Sequence, residues 1–307
     1  MFQFVFDRAT EGTGFSSRIF ERVRRVLIRY GDPVVRYDVG GRPLLLNMSH
    51  QLRLYRNLFP TYSDNLSRLA GAVRRRFGFL RMTDVGANVG DSYFLVRPQQ
   101  NDECLLIEGD PHYFELLSRN TKNAGGVMLV LALLSDRPSE THDVLSSTGG
   151  TARIVKGAAG GQKLAYKTLD QVISEYPSFR TTNLLKTDVD GYDHKVLLGA
   201  QDLIREARPS IFFEHHPGLL AASGEDEMRI FTALGRAGYS SFIFYDNFGY
   251  LHGTVSATDL KQLSDLMFYA RQRKDFYYDI CCIHDVQEAF RKDFLEEERA
   301  FFRANVL

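Results

Sequence analysis

Residues 84–90 run Asp84, Val85, Gly86, Ala87, Asn88, Val89, Gly90, where an apolar strand-like run gives way to a helical pattern. That context is the one a nucleotide-binding turn requires. Gly86 and Gly90 remove side chains where backbone must approach a ligand, and glycine enters the left-handed region at little steric cost. Glu108 ends the next strand-like run, 18 positions beyond Gly90. A ribose-binding carboxylate belongs about 20 residues past such glycines. Asp84 at the turn would repel a pyrophosphate, and the GxGxxG spacing of dinucleotide sites is absent. A sulfonium and an ammonium would instead be attracted. The residues therefore favour S-adenosylmethionine over NAD, with a ligand-free strand–helix turn as the plain alternative.

Further chemistry-bearing residues end two later strand-like runs. Lys186 and Asp188 close the run 183–188, and Glu214, His215 and His216 follow the run 210–214. A lysine within a strand is unusual unless paired, so an ion pair weighs as much as a substrate contact. If the chain stays extended past Glu214, one of the two histidines must point away from any site. An aliphatic hydroxyl is a poor nucleophile at neutral pH, so a positioned base is useful; Asp188 is the first candidate, with His215 ahead of His216 as proton shuttle. Asp190 and Asp193 also read as carboxylates at a helix start. Asp188, Asp190, Glu214 and His216 offer metal ligands, but no compact spacing such as HExxH joins them. A divalent metal is thus a secondary option, and no residue is assigned to one.

Residues 84–90, Glu108 to Pro111 with Phe114, Leu117 and Asn120, Thr168 to Asp170, and Leu185 to Ala200 with Pro209 and Glu214 together resemble the FkbM family of S-adenosylmethionine-dependent O-methyltransferases. The likeness covers about residues 80–217. Two positions depart from it: Asp190 stands where the family has glutamate, and Gly109 where it has proline. The resemblance implies a class I, Rossmann-like methyltransferase fold and methyl transfer to a hydroxyl oxygen, leaving S-adenosylhomocysteine. It implies cofactor contacts from Asp84, Gly86, Ala87, Asn88, Gly90, Ser92, Glu108, Gly109, Asp110, Ser135 and Asp136. The acceptor side would hold Lys186, Asp188, Glu214 and His215 as catalytic residues, with Asp190 and His216 binding substrate. The expected acceptor is a sugar of a bacterial surface glycan or glycosylated metabolite. A macrolide or polyketide hydroxyl, a non-catalytic cofactor-binding module of a glycan-assembly complex, and an NAD-dependent dehydrogenase are the competing readings.

The elements that would position these residues follow from periodicity. Strand-like runs at about 80–85, 103–108, 127–133, 183–188, 210–214, 240–245 and 276–283 alternate with helical patterns, the signature of a covered parallel sheet. Seven strands are expected, mostly parallel, with one antiparallel strand near the C-terminus. The glycine-rich stretch 146–162 reads as a loop. Residues 1–78 form an extension of helix, β-hairpin and helix packing on the site, and 79–307 the methyltransferase domain. In residues 18–30, Ile19, Phe20, Val23, Val26, Leu27 and Tyr30 share one apolar helix face, opposite a column of Arg18, Arg22, Arg25 and Arg29. That column could touch an anionic membrane surface or polymer.

Composition bounds the rest. The 307 residues are 44% hydrophobic and 25% charged, the globular average, and 38 basic residues balance 38 acidic ones. That balance speaks against a nucleic-acid partner. The three cysteines form no CxxC pair, so no disulfide framework or cysteine zinc site is expected. No run reaches the roughly 20 apolar residues of a membrane span, and the start of the chain does not resemble a secretory signal. A cytoplasmic protein, with peripheral membrane contact through the arginine column as an option, is the expectation.

Overall fold

A computed structural model of the chain describes residues 1–10, 15–142, 144–148, 151–155, 164–274 and 276–306. Near-continuous apolar runs form strands here because both faces of the sheet are covered. The first segment supplies helices α1 (Phe2–Thr10) and α2 (Phe15–Gly31), the hairpin β1 (Val34–Val39) and β2 (Arg42–Asn47), and helices α3 (Leu52–Leu58) and α4 (Asp64–Phe77). Then come β3 (Arg81–Val85), α5 (Asp91–Val96), β4 (Glu103–Glu108), α6 (Pro111–Thr121) and β5 (Val127–Leu131). Short strands β6 (Leu133–Leu134), β7 (Ser139–Thr141), β8 (Val144–Thr148), β9 (Thr151–Val155) and β10 (Leu164–Lys167) follow. Next are α7 (Leu169–Glu175), β11 (Leu184–Thr187), α8 (Asp193–Leu198), α9 (Gln201–Ala207), β12 (Ser210–His215), α10 (Pro217–Ser223) and α11 (Arg229–Arg236). The chain ends with β13 (Ser241–Asp246), β14 (Leu251–Ser256), α12 (Leu260–Arg271), β15 (Tyr278–Cys282) and α13 (Glu288–Asn305).

The main sheet runs β14-β13-β15-β12-β11-β3-β4-β5. β3, β4, β5, β11 and β12 are mutually parallel, while β15 lies antiparallel between β12 and β13. This is the class I arrangement expected, with one strand more than seven, since β14 adds an antiparallel edge to β13. The chain steps outward from β3 through β5 and returns at β11 on the other side of β3. That reversal is the switch point where open α/β sheets take their ligands.

Side chains alternate strictly between the two faces. Met82, Cys104, Leu106, Leu184, Phe212 and Cys281 pack under the hairpin, α4, α6 and α13. Val85, Leu105, Ile107, Leu185, Phe213 and Ile280 pack against α7, α8, α9, α11 and α12. By the same parity Asp84, Lys186, Glu214 and Asp279 point toward the first face at the strand ends. Neighbouring Cys281 and Cys282 are both fully buried because neither face meets water.

Caps decide several boundaries. Asp110 accepts from the N–H groups of His112 and Tyr113, with Pro111 at the first helical position. Thr168 and Gln171 form a capping box on α7. The Asp170 carboxylate accepts from Asp202 and Leu203 N–H at 2.9 and 3.0 Å, so it caps α9. The helical pattern of 192–206 accordingly breaks in two at Gly199, where a Cβ would meet Ser135 O at 2.3 Å.

Two expectations change. Within the stretch 146–162, expected as a loop, β8 and β9 pair antiparallel instead, while 149–150 and 156–163 lie outside the described residues. Helix α2 docks through Leu27, Ile28 and buried Arg24, so Ile19, Val23, Val26 and Tyr30 face outward. Among the described residues no helix is long and apolar enough to cross a membrane.

The C-terminal helix is fastened to α4 by one buried ion pair. Glu298, 1% exposed, takes Arg68 Nε and Nη2 at 2.5 and 2.8 Å beneath the Phe301 ring. Glu298→Ala leaves that guanidinium without its charge partner and should cost about 3 kcal/mol. Urea denaturation measures it, and a loss below about 1 kcal/mol would show that α13 is held otherwise.

Candidate active site

The switch point opens into two cavities that meet. The first lies over the ends of β3, β4, β5 and β11. Gly86, Asn88, Glu108, Gly109, Asp110, Asp188 and Asp190 line it together with Val85, Ile107, Tyr113, Leu133, Leu134 and Tyr192. Four carboxyl groups therefore face this cavity, and among the described residues no lysine or arginine lines it. The second, a wider cleft of about 660 Å³, shares Gly86, Asn88, Asp188 and Asp190 with the first.

The turn between β3 and α5 is held by backbone and by close approach. Gly86 and Ala87 N–H both donate to Ile107 O. Gly86 has φ +77°, and a Cβ on it would sit 1.9 Å from Asp188 O. Only glycine lets the β11 end come so near. Asn88 and Asp190 also adopt left-handed backbone, φ +48° and +49°, at the junction of the cavities. Such strain collects where a ligand site over-determines the chain.

Asp84 occupies a different place from the one its sequence position suggests. It is fully buried, lines neither cavity, and pairs with Lys186 Nζ at 3.0 Å. Lys186 also donates to Gly86 O at 3.0 Å and lies 3.6 Å from Asp188 Oδ2. Burial works against the ammonium, but Asp84, Asp188 and Asp91 outweigh it and hold the Lys186 pKa above its ordinary value. Lys186 is thus a fixed cation under the turn, unable to serve as a base.

Glu108 is where a ribose carboxylate was expected. Its Oε1 and Oε2 accept from Asp110 N and Asn88 N at 2.7 and 2.8 Å. Burial pushes its carboxyl up to about 7, against the pull of those two N–H groups. A Cβ on Gly109 would meet Leu133 Cδ2 at 2.4 Å, so a larger residue here needs the end of the Leu133 side chain to shift. Ala87, Gly90, Ser92, Ser135 and Asp136 do not line either cavity. Ala87, Gly90 and Ser92 are buried in the turn and α5, and Ser135 Oγ donates to Asp136 Oδ1 at 3.2 Å.

Register settles the histidines. His215, the favoured shuttle, is turned to the opposite face, where its Nδ1 and Nε2 meet His194 Nε2 and Met267 Sδ. Burial and the neighbouring His194 hold its pKa well below the ordinary value. His216 lines the cleft instead. Its Nδ1 accepts the Leu219 N–H at 3.2 Å, capping α10, which leaves the ring proton on Nε2. With Nδ1 so engaged, that nitrogen is not free to act as a base.

Glu214 and Asp188 line the cleft on the same face. Burial, then Asp188, Asp193, Asp190 and Asp279, raise the Glu214 carboxyl well above its ordinary range. Asp188 keeps its side chain 53% exposed. Asp193, 1% exposed, accepts from Val189 N, and burial with Asp188 pushes it up to about 7.

The cleft also uses residues without any motif. His50, Tyr55, Phe59 and Tyr62 come from the first segment; Phe248, Phe276 and Tyr277 come from the last quarter. Phe59 stacks on Phe248 with centroids 3.8 Å apart, Tyr62 hydrogen-bonds Tyr277, and Tyr277 stacks near His216. The sequence signal available was the spacing of Tyr55, Phe59 and Tyr62 at i, i+4 and i+7. Among the described residues no group of three or more His, Cys, Asp or Glu side chains is arranged to hold a metal ion.

A glycine turn at the switch point of a sheet with this strand order defines a class I methyltransferase fold. The family model described as the methyltransferase FkbM domain matches residues 84–241, just over half of the chain. The chain belongs to that family. No curated protein matches it. Similar solved structures include the methyltransferase FkbM from Methylobacillus flagellatus KT, at 12% identity over 66% of this chain and 43% of that one, with a TM-score of 0.36. Another is the O-methyltransferase TomG from Streptomyces achromogenes in complex with SAM, at 12% over 72% and 79%, TM-score 0.38. A third is TYW2 from M. jannaschii in complex with AdoMet, at 12% over 83% and 88%, TM-score 0.36. The chain spans less than half the length of the first of these.

Two outcomes follow from the buried charges. Asp84→Ala strands Lys186 without its nearest counter-charge and should cost about 3 kcal/mol or more; Asp84→Asn with Lys186→Met should recover part of that. Equal instability of single and double variants in urea would contradict the pairing. Asp193 has a raised native pKa, so its carboxylate costs stability increasingly from about pH 4 to about pH 7 and fully above. Asp193→Asn should gain on the parent across that window and hold the gain at pH 8. A pH-independent difference would place the Asp193 proton wrongly.

Proposed function

We propose that this protein transfers a methyl group from S-adenosylmethionine to a hydroxyl oxygen of a sugar, within a bacterial surface glycan or a glycosylated metabolite. The observation that carries the reading is the charge of the first cavity, which Glu108, Asp110, Asp188 and Asp190 line without a described cation. A phosphorylated dinucleotide would be repelled there, and a sulfonium with an ammonium attracted. The residues present also fit the rest of the group. Glu108 stands ready for ribose hydroxyls, and Ile107, Tyr113, Leu133 and Leu134 offer apolar walls to a base. When bound, S-adenosylmethionine supplies an activated methyl on a good leaving group.

The acceptor end is suited to a sugar. Tyr55, Phe59, Tyr62, Phe248, Phe276 and Tyr277 give ring faces for C–H surfaces, and carboxyl groups among them take hydroxyls. Asp188 lines both cavities, so it orients the acceptor hydroxyl and takes its proton, passing it to water through its exposed edge. Lys186 fixes Asp188 from below. Glu214, whose carboxyl is raised well above its ordinary range, donates to a sugar oxygen. The segment from His50 to Tyr62 covers the cleft and excludes water from the oxygen.

Asp188→Asn should lower turnover about 100-fold or more while calorimetric affinity for S-adenosylmethionine stays within about threefold. Unchanged turnover would remove Asp188 as the base. Label from methyl-labelled S-adenosylmethionine should enter envelope glycans in the presence of the protein. Absence of heat with both S-adenosylmethionine and S-adenosylhomocysteine would leave a scaffold rather than an enzyme.

A further inference from the structure

Helix α2 presents two parallel stripes to the outside. Arg18, Arg22, Arg25 and Arg29 recur at i, i+4, i+7 and i+11, and Ile19, Val23, Val26 and Tyr30 recur at the same spacing one residue later. All four arginines are exposed. The apolar stripe is 47, 41, 54 and 84% exposed, although an isolated apolar column of this length normally docks inward. The helix is already seated by its other side: Leu27 and Ile28 reach the core, and Arg24 donates to Met48 O at 3.0 Å. The patch continues onto α1, where exposed Phe4 meets Phe20 edge to face and Arg8 lies over the Phe4 ring.

We propose that this face docks on an anionic lipid surface, the arginines pairing with headgroups while the apolar stripe enters the interface. Charge chooses this occupant. A second copy packed through the apolar stripe would bring two sets of four arginines together. The one acid of α2, Glu21, is already shared between Arg24 and Arg25 at 3.0 and 3.1 Å. A nucleic acid would use the arginines but leave the isoleucine and valines against water. Only a surface that is both anionic and apolar satisfies the two stripes at once.

The patch lies one helix from the cleft. α1 is tied to α3 by Asp7 to Arg53 and by Asn57 donating to Thr10 O at 2.6 Å, and Leu52 and Tyr55 of α3 line the cleft. Docking would thus bring the cleft close to the bilayer. The inference stands independently of the methyl-transfer reading.

Sedimentation of the full chain with vesicles tests it. Vesicles of phosphatidylglycerol and phosphatidylcholine should bind the protein, vesicles of phosphatidylcholine alone should not, and binding should weaken as salt rises. Arg22→Gln and Arg29→Gln should each lower partitioning about fivefold at low salt. Val23→Asn with Val26→Asn should lower it further without changing the thermal melt, since those side chains are exposed. Failure to bind the anionic vesicles, indifference to the arginine changes, or a dimer in solution abolished by Val26→Asn would each overturn the assignment.

Discussion

One buried cation holds the site together. Lys186 sits between Asp84 and Asp188 and takes the carbonyl of Gly86, so a single ammonium ties the ends of β3 and β11 at the place where the sheet reverses direction. Remove its charge and the glycine turn loses its anchor, Asp84 becomes an unpaired buried acid, and Asp188 loses its support. The ion pair need not be the most stabilising solution available; buried pairs rarely are. It is the solution that lets a turn opened by two glycines stay rigid while carboxylates surround it.

Those carboxylates form an acidic field that the fold tolerates by keeping part of it neutral. Glu214 is held well above the ordinary range, Asp193 and Asp279 are pushed up to about 7, and desolvation comes first in each case. Asp188 keeps half of its side chain in water. Of these only Glu214 and Asp188 line the cleft; on the proposed reading, a carboxyl with a raised pKa beside an exposed carboxyl is the division that proton transfer from a hydroxyl would use. Asn65 donating to Asp279 at 3.0 Å extends the field to α4.

How much was legible from the sequence depended on whether a residue's environment is local. Strands packed on both faces announce themselves as apolar runs, and Gly86 could be read because its turn and its strand are contiguous. Asp84 could be read for sign but not for depth: whether a strand-end carboxylate faces a cavity or the layer beneath it depends on Lys186, 102 positions later. The two histidines show the same limit. Alternation demanded that one point away, yet which one is set by Met267 and His194 on the far face. Likewise α2 has a regular apolar column, but Arg24 and Ile28 seat the helix from another side. The pairing of β8 with β9 was hidden because glycines that usually mark a loop lie next to strand-forming residues in the sequence. Tyr62 and Tyr277 carry no motif and meet only through the tertiary fold.

The boundary of the family match divides the site along the same line. All residues of the first cavity fall within 84–241, whereas 12 of the 20 lining the cleft fall outside it, six before and six after. The matched part therefore carries the glycine turn and its carboxylates, and the segments outside the match carry the aromatic walls. The two are fastened together: Asn120 donates to Leu45 O and Val89 O at 2.8 Å and accepts from Leu45 N, so the hairpin rests on the glycine turn itself. Thr61 holding Phe248 O, with Gly249 bare where a Cβ would strike Thr61 O, locks the two outer walls to each other. On the proposed reading, selection of the acceptor would reside in segments that pack on the matched core without belonging to it, and changes in Tyr55, Phe59, Tyr62, Phe248 or Tyr277 would retune the acceptor while the first cavity stays as it is.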